Sequence, residues 1–247
     1  GIVFRGNSAR NVRNFMYSDT HRLDDVLIDG NWAENIVNGI NINKSSGQGG
    51  SRRVKIVNNT FHISDQYYPY ASVGYGIYLY DLAGSSNVVI AGNQIYSASG
   101  SNIVGILLDA SVDSTISGNH IIGGTTGLSL NGSTGNTNTL VIGNVFDGGT
   151  SGIESPGKSR LLTVANNSFF RHRQYGINAA GTDIFIRGNS FSDWAMAGGQ
   201  DSAIYINGYP FDGVSTNIFI TGNNFAGSNA APQSSAIAFD TEISTNV

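Results

Sequence analysis

Three carboxylates, Asp81, Asp109 and Glu154, have the residue types and spacing that could cleave an acetal bond. Hydrolysis uses two carboxyl groups about 6.5 to 9.5 Å apart for inversion, or about 5 to 5.5 Å apart for retention. Asp81 and Asp109 follow the same motif one repeat apart. If the repeats stack like neighbouring β-strands, about 4.8 Å apart, this pair approaches the retaining distance. Glu154 lies about 11 to 12 Å from Asp109 by the same geometry, slightly too far without side-chain reach. All three are predicted catalytic residues, although each could equally be an ordinary surface carboxylate.

Elimination would use a different set of residues. A lyase needs a base, together with a cation that neutralises the carboxylate of an acidic sugar. The run Arg171, His172 and Arg173 leads into a strand at Gly176, so it is expected at the edge of the surface that carries Glu154, where it could bind such a sugar. Basic residues at a turn are also often only solvated, so hydrolysis and elimination both remain open.

These residues are positioned by an internal repeat. A short apolar strand ends in Asn at each of Asn7, Asn31, Asn59, Asn93, Asn119, Asn144, Asn167, Asn189 and Asn223. The alternation of apolar and polar residues has the period of a β-strand, and no window keeps the 3.6-residue period of a helix. Asn tolerates the left-handed backbone of a sharp corner, and its amide can pair with the Asn of the next repeat. The sequence therefore predicts a ladder of corner asparagines.

A second motif, Gly or Ala followed by Ile or Leu, supplies a third strand in each repeat, as at Gly76-Ile77 and Gly152-Ile153. If Ile and Leu point inward, the alternate residues point outward. The outward positions include Tyr78, Tyr80, Asn131, Asn178, Tyr205 and Asn207. Tyr can stack on sugar rings and Asn can hydrogen-bond their hydroxyls, so these residues are predicted to bind a carbohydrate, although a sheet facing water could carry them too. Further tyrosines precede this motif at Tyr67, Tyr68, Tyr70 and Tyr75.

Strands this short are stable only when successive repeats stack on one another. We expect an all-β, right-handed, single-stranded parallel β-helix of about eight or nine coils with three strands per coil. We expect it to form one domain over residues 1–247 and to be part of a longer chain. The repeats resemble those of the pectate-lyase-like superfamily, roughly Val-x-Ile-x-Gly-Asn-x-Ile followed by Gly-Ile-x-Leu, over nearly the whole sequence. The resemblance implies a polysaccharide groove over the Gly-Ile strands, as in phage tailspikes and polysaccharide depolymerases. The Asp-Pro-His-Asp signature of the calcium-dependent lyases and epimerases of that superfamily is absent, which disfavours those two activities.

Composition limits the partners. Charged residues make up 12% of the chain and the net charge is -4, with no block of like charge, so neither nucleic acid nor a membrane is expected as a partner. The chain has no cysteine, and no metal or other cofactor is predicted. The expected partner is a polysaccharide, either a bacterial surface glycan or an acidic polysaccharide, and the expected location is extracellular, secreted or virion-associated. The preferred hypothesis is a glycan depolymerase, either hydrolase or lyase, which would form a homotrimer if it is a tailspike. The alternative is a non-catalytic adhesin or a structural shaft.

Overall fold

The computed structural model describes residues 1–19, 23–43, 51–64, 73–80, 85–131, 135–196, 201–208, 215–227 and 234–239. They form an all-β, right-handed parallel β-helix, which confirms the predicted fold. Each turn passes through sheet 1 before the corner Asn, sheet 2 after it, and sheet 3 at the Gly-Ile motif. About seven turns have a neighbouring coil on both sides, slightly fewer than the eight or nine coils expected, and the first and last strands of each sheet have a neighbour on one side only. No helix in the described part of the chain is long and apolar enough to cross a membrane.

The strands of each sheet pair in parallel with the equivalent strands of the next coil. Sheet 1 contains Ile2–Arg5, Asp24–Asp29, Arg52–Val57, Ser85–Ser86, Val89–Ala91, Ser111–Ser117, Thr137–Ile142, the later parts of Ser151–Ala165 and Tyr175–Arg187, and Thr216–Thr221. Sheet 2 contains Ser8–Arg10, Trp32–Ile36, Thr60–Ile63, the first parts of Gln94–Asp109 and His120–Asn131, Val145–Asp147, Ser168–Phe170, Ser190–Ser192 and Asn224–Ala226. Sheet 3 contains Asn14–Asp19, Asn38–Asn43, Gly74–Tyr80, the later parts of Gln94–Asp109 and His120–Asn131, the first parts of Ser151–Ala165 and Tyr175–Arg187, Ser202–Ile206 and Ser235–Phe239.

The corner between sheets 1 and 2 is held by the predicted asparagine ladder. The amide Nδ2 of Asn93 donates to Oδ1 of Asn119 over 2.9 Å, and the backbone N–H of Asn93 donates to the same oxygen over 3.0 Å. The ladder is buried, with Asn119 only 1% exposed, so these bonds satisfy polar groups that water does not reach. The prediction that the ladder asparagines adopt a left-handed backbone is wrong. The preceding residue adopts it instead, as at Gly92 with φ of 65° and Asn58 with φ of 57°, because glycine and asparagine tolerate this conformation best.

The interior is a set of apolar stacks that run along the axis. The ring of Phe169 stacks between those of Phe146 and Phe191, with centroids 5.2 Å and 4.7 Å away. The Gly of the Gly-Ile motif makes room for these rings, since a Cβ on Gly127 would lie 2.6 Å from Cδ1 of Phe146. The backbone of sheet 3 therefore lies directly against the side chains of sheet 2. This contact supports the outward side chains of sheet 3 on a rigid base.

Candidate functional site

The outer face of sheet 3 carries one side chain per coil in a straight row, which we call the central column. In-register pairing joins Asn41, Tyr78, Leu107, Ser129, Glu154, Asn178, Tyr205 and Ala238. The observed pairs agree with the outward positions inferred from the Gly-Ile motif. At about 4.8 Å per coil, Tyr78 and Tyr205 lie about 24 Å apart along the axis.

A first tyrosine cluster lies at one end of the central column. The ring of Tyr78 packs against that of Tyr75, with centroids 4.3 Å apart, and stacks on that of Tyr80 at 5.5 Å and 6°. Tyr80 is 43% exposed, so this cluster presents an aromatic surface to solvent. Burial raises the pKa of Tyr78 to about 12, with smaller contributions from Tyr75, Tyr80 and Asp109. The phenol is therefore neutral at physiological pH and available as a hydrogen-bond donor.

A second tyrosine cluster lies toward the other end. Tyr175 stacks on Tyr205, with ring centroids 5.1 Å apart at 19°. Burial raises the pKa of Tyr175, and the charges of Asp201, Tyr205 and Glu154 raise it further, so both carboxylates lie within electrostatic range of this phenol. Asp201 is 8% exposed, and burial raises its pKa as well. Sequence reasoning missed Asp201 and the stack of Tyr175. Both residues could have been recognised in the sequence from their position just before an Ala-Ile or a Gly-Ile motif.

Polar residues of the central column lie between the two clusters. Glu154 is half-buried and pairs in register with Ser129 on one side and Asn178 on the other. The Oδ1 atom of Asn178 is buried and has no hydrogen-bond partner in the described part of the protein. A ligand hydroxyl could donate to that acceptor only after the Asn178 side chain rotates outward, because solvent does not reach the atom in this conformation.

The remaining predicted residues of sheet 3 lie along its far edge. Asp109 pairs in register with Asn131, and it is 8% exposed, so it is less accessible than expected. Asn131 is exposed and Asn207 is half-buried, with its backbone N–H bonded to the carbonyl of Ala179 over 2.9 Å. Asp81 and the tyrosines at 67, 68 and 70 lie outside the described residues, so the pair of Asp81 with Asp109 stays a prediction.

The basic segment lies at the corner between sheets 2 and 3. Arg171 forms an ion pair with Asp147, with 2.8 Å between Nε and Oδ1, whereas Arg173 is exposed. His172 was expected at the groove edge, but it is 1% exposed and lies inside, 6.1 Å from the ring of Phe169. The left-handed backbone of Arg171, with φ of 56°, interrupts the strand alternation at this corner, and the side chain of His172 turns inward. Burial lowers the pKa of His172 to about 4, and it therefore carries no charge at neutral pH.

Arg171 and Arg173 line a cavity of about 600 Å³ at this corner, which we call the corner cavity. Its lining comprises Ser97, Ile122, Gly123, Gly124, Thr125, Asp147, Gly148, Gly149, Thr150, Arg171, Arg173 and Met196. Thr125 and Thr150 directly precede strands of sheet 3, so the cavity opens beside the tyrosine cluster of Tyr175 rather than over the central column.

Comparison with known sequences identifies the family. The sequence profile described as "Periplasmic copper-binding protein (NosD)" matches residues 1–140, more than half of the chain. The chain belongs to the NosD family. No curated protein matches the sequence. Among solved structures, the NosD-family chain is similar to the enzymatically active domain of tailspike protein 2 from bacteriophage CBA120, at 12% identity and a TM-score of 0.43. That similarity covers 94% of this chain but only 42% of the tailspike domain, and it is too low to inform on activity.

The family description raises the question of copper. Copper sites in proteins are built from His, Cys and Met. Within the described ranges, no group of three or more His, Cys, Asp or Glu could hold a metal ion. His62 and His120 lie on opposite sides of Tyr96, at 4.8 Å and 6.4 Å from its ring, so they do not converge. Met196 is exposed at the corner cavity, away from both. The described residues of this NosD-family chain therefore do not fit a copper centre.

Proposed function

We propose that this NosD-family chain binds a polysaccharide along the outer face of sheet 3 and degrades it. The observation that carries the proposal is the placement of two stacked tyrosine clusters about 24 Å apart on one rigid face, with Glu154 and Asn178 between them. A linear row of aromatic rings and amides, one side chain per coil, matches the shape and chemistry of an extended glycan. Aromatic rings bury the apolar faces of sugars, while the amides bond their hydroxyls.

Each binding residue has a proposed role. Tyr78, Tyr80 and Tyr205 stack on sugar rings at the two ends of the site, which leaves the middle of the chain over the polar residues. Asn178 rotates outward and accepts a hydrogen bond from a hydroxyl through Oδ1, which is buried and unsatisfied in the free protein. The proposed hydrogen-bonding residues at the far edge of sheet 3 are Asn131 and Asn207.

Cleavage is proposed to depend on Asp109 and Glu154, with Asp81 as a further candidate. Hydrolysis would use one carboxyl group as acid and the other as base. The register of sheet 3 gives a backbone separation of about 11 to 12 Å for Asp109 and Glu154, so hydrolysis would need the side chains to reach toward each other. Elimination would instead use Arg171 or Arg173 beside an acidic sugar. His172 is withdrawn from this set because it is buried.

The spacing of the carboxylates favours one alternative specifically. Asp201 lies two coils and four residues from Glu154, about 16 Å between backbones, which is longer than either glycosidase geometry. A face with two aromatic clusters but widely spaced carboxylates is what a non-catalytic carbohydrate-binding adhesin needs. This is the second candidate function.

The proposed location of the protein is outside the cytoplasm. The family description supports a periplasmic location, and a tailspike-like role would make the protein secreted or virion-associated. Self-association into a homotrimer is supported by the outer face of sheet 1, where a mostly apolar column runs along the axis. Its apolar members are Val3, Leu27, Val89, Leu140, Phe185 and Phe219, and Lys55, Thr115 and Thr163 lie between them in the same column, so the proposed contact would be partly polar.

A binding experiment tests the proposal. The protein is titrated by calorimetry with a panel of bacterial capsule, O-antigen and uronate polysaccharides. For the ligand that binds, Tyr205→Ala should weaken affinity about tenfold, since it removes one stacking contact. Tyr96→Ala is the matched control, because it removes a tyrosine that is likewise half-buried but lies on sheet 2. Equal losses in the two variants, or no binding across the panel, would contradict the proposed site.

Product analysis then separates the candidate activities. New reducing ends without an unsaturated product would support hydrolysis, and Glu154→Gln and Asp109→Asn should abolish them without loss of fold. Ultraviolet absorbance from an unsaturated product would support elimination, with Arg173 as the residue to replace. Binding without either product would support the non-catalytic adhesin.

A further inference from the structure

The corner cavity has the size of a ligand site but lies outside the face proposed to bind the polymer backbone. Its volume of about 600 Å³ is within the usual range for small-molecule sites. It is bounded by the turns that lead from sheet 2 into sheet 3, and Arg173 at its edge is two residues from Tyr175 of the second tyrosine cluster. A branch of a polymer lying on sheet 3 could therefore enter it.

Of the charged residues that line the cavity, one cation has no ion-pair partner within the described structure. Arg171 is bound to the carboxylate of Asp147, and Asp193, which does not line the cavity, also lies within electrostatic range of Arg171. Arg173 is exposed, and its guanidinium makes no ion pair with any residue that the structure describes. His172 beneath the cavity is neutral because it is buried. A ligand with a single negative charge is the complement of this arrangement.

The walls of the cavity are suited to the apolar face of a sugar ring. Gly123, Gly124, Gly148 and Gly149 line it with left-handed φ values of 79°, 75°, 80° and 85°. A Cβ on Gly123 would lie 2.2 Å from the carbonyl oxygen of Ser97, so close packing of the turns keeps this wall free of side chains. Ile122 and the 49%-exposed Met196 provide the other apolar surfaces.

We propose that the corner cavity binds a sugar carrying one anionic group, a carboxylate or a sulfate, as a side branch of the polysaccharide. Arg173 pairs with the anionic group, and the glycine turns face the sugar ring. The inference rests on the proposed function for the identity of the polymer, since sheet 3 holds its backbone. It adds a specificity-determining site for acidic branches that is separate from the central column.

Monosaccharide titration tests this site independently of the polymer. Amide chemical shifts of Gly124, Gly148 and Gly149 are followed in the ¹⁵N-labelled protein during titration with glucuronate, galacturonate, N-acetylneuraminate and glucose 6-sulfate. At least one should give saturable shifts at these glycines, while glucose and galactose should give none. Arg173→Gln should weaken the binding about tenfold or more, because a charge-assisted hydrogen bond is lost. Arg187→Gln removes an equally exposed charge from sheet 1 and should leave binding unchanged.

The outcomes distinguish this site from the groove on sheet 3. Tyr205→Ala should leave the monosaccharide shifts unchanged even if it abolishes polysaccharide binding. The inference is overturned if no acidic sugar shifts the glycine amides, if Arg173→Gln binds as the wild type does, or if glucose or free sulfate binds as well as the acidic sugars. Loss of the shifts in Tyr205→Ala would also overturn it, since the sugar would then lie on sheet 3. None of these results depends on whether the polymer binds.

Discussion

Acid should destabilise this protein through a single buried histidine. His172 is 1% exposed, and neither ring nitrogen makes a hydrogen bond of good geometry within the described residues, although the backbone of Gly148 and of Phe146 lies close enough to interact weakly with the ring. Burial lowers its pKa from 6.5 to about 4, against smaller opposing effects from Gly148, Asp147 and Phe146. Between these two pH values the unfolded chain binds a proton that the folded protein does not. The free energy of unfolding therefore falls as the pH drops below 6.5, and this loss is complete below about pH 4.

The two pKa values set the magnitude. At pH 4.5 the unfolded histidine is almost fully protonated and the folded one mostly neutral, which corresponds to a loss of about 2 to 3 kcal/mol relative to pH 7.5. His172→Leu removes the titrating group at similar volume. The difference in unfolding free energy between pH 7.5 and pH 4.5 should therefore be about 2 to 3 kcal/mol smaller in the variant than in the wild type. At pH 7.5 the variant should be at least as stable, because two unsatisfied buried nitrogens are removed.

Urea denaturation at the two pH values, followed by circular dichroism and by fluorescence, measures this difference. Carboxylates also titrate in this range, but they contribute equally to both proteins and cancel in the comparison. His62→Gln, at an exposed position of sheet 2, is the control and should keep the wild-type pH dependence, since His172 is still present. If His172→Leu loses stability in acid as much as the wild type does, burial of a neutral histidine is not the cause and the reasoning is refuted.

Two further substitutions test the forces that hold the coils together. Asn119→Ala should lower the free energy of unfolding by about 3 to 5 kcal/mol in urea, because it leaves buried donors of the ladder without an acceptor. Asn224→Ala, at an exposed position of sheet 2, should cost less than about 1 kcal/mol. A similar result for both would mean that the ladder contributes little. Gly127→Ala should lower the free energy of unfolding by about 1 to 3 kcal/mol, since its Cβ would lie 2.6 Å from Phe146. Thermal denaturation measures this loss. Gly227→Ala is the control and should be close to the wild type, because no atom lies within 4 Å of its Cβ.

The fold could be predicted from the sequence because each coil repeats the same pattern of corner asparagines and inward apolar residues. Residues equivalent to the ladder residue Asn93 and to the inward residue Ile106 recur at fixed places in the coils. Aligning the coils on these two positions therefore fixes the register of every strand. The pairing of Tyr78 with Leu107 follows directly from that alignment. The conformation of the corner was harder to predict, because the ladder position is Asn, the residue before it is Gly or Asn, and both residue types tolerate positive φ.

The site was only partly predictable because its corners do not repeat. Alternation along a strand placed Glu154 and Asn178 correctly on the outer face. At the corner, a residue such as Arg171 adopts a left-handed backbone, and strand alternation gives no guide to which neighbouring side chain turns inward, as His172 does. Asp201 was missed for a similar reason. It precedes its strand motif, and its burial depends on contacts between coils rather than on its neighbours in sequence.

Because the coils stack in register, one whole coil is the natural unit of insertion or deletion in the evolution of this molecule. Each coil contacts only its two neighbours, so duplication or deletion of one whole coil preserves every ladder while moving everything beyond it by about 4.8 Å. A coil gained between Tyr78 and Tyr205 would lengthen the interval between the two clusters without altering either one. Gain or loss of coils would therefore change the distance between the two tyrosine clusters in steps of about 4.8 Å, while the residues within each cluster stay the same.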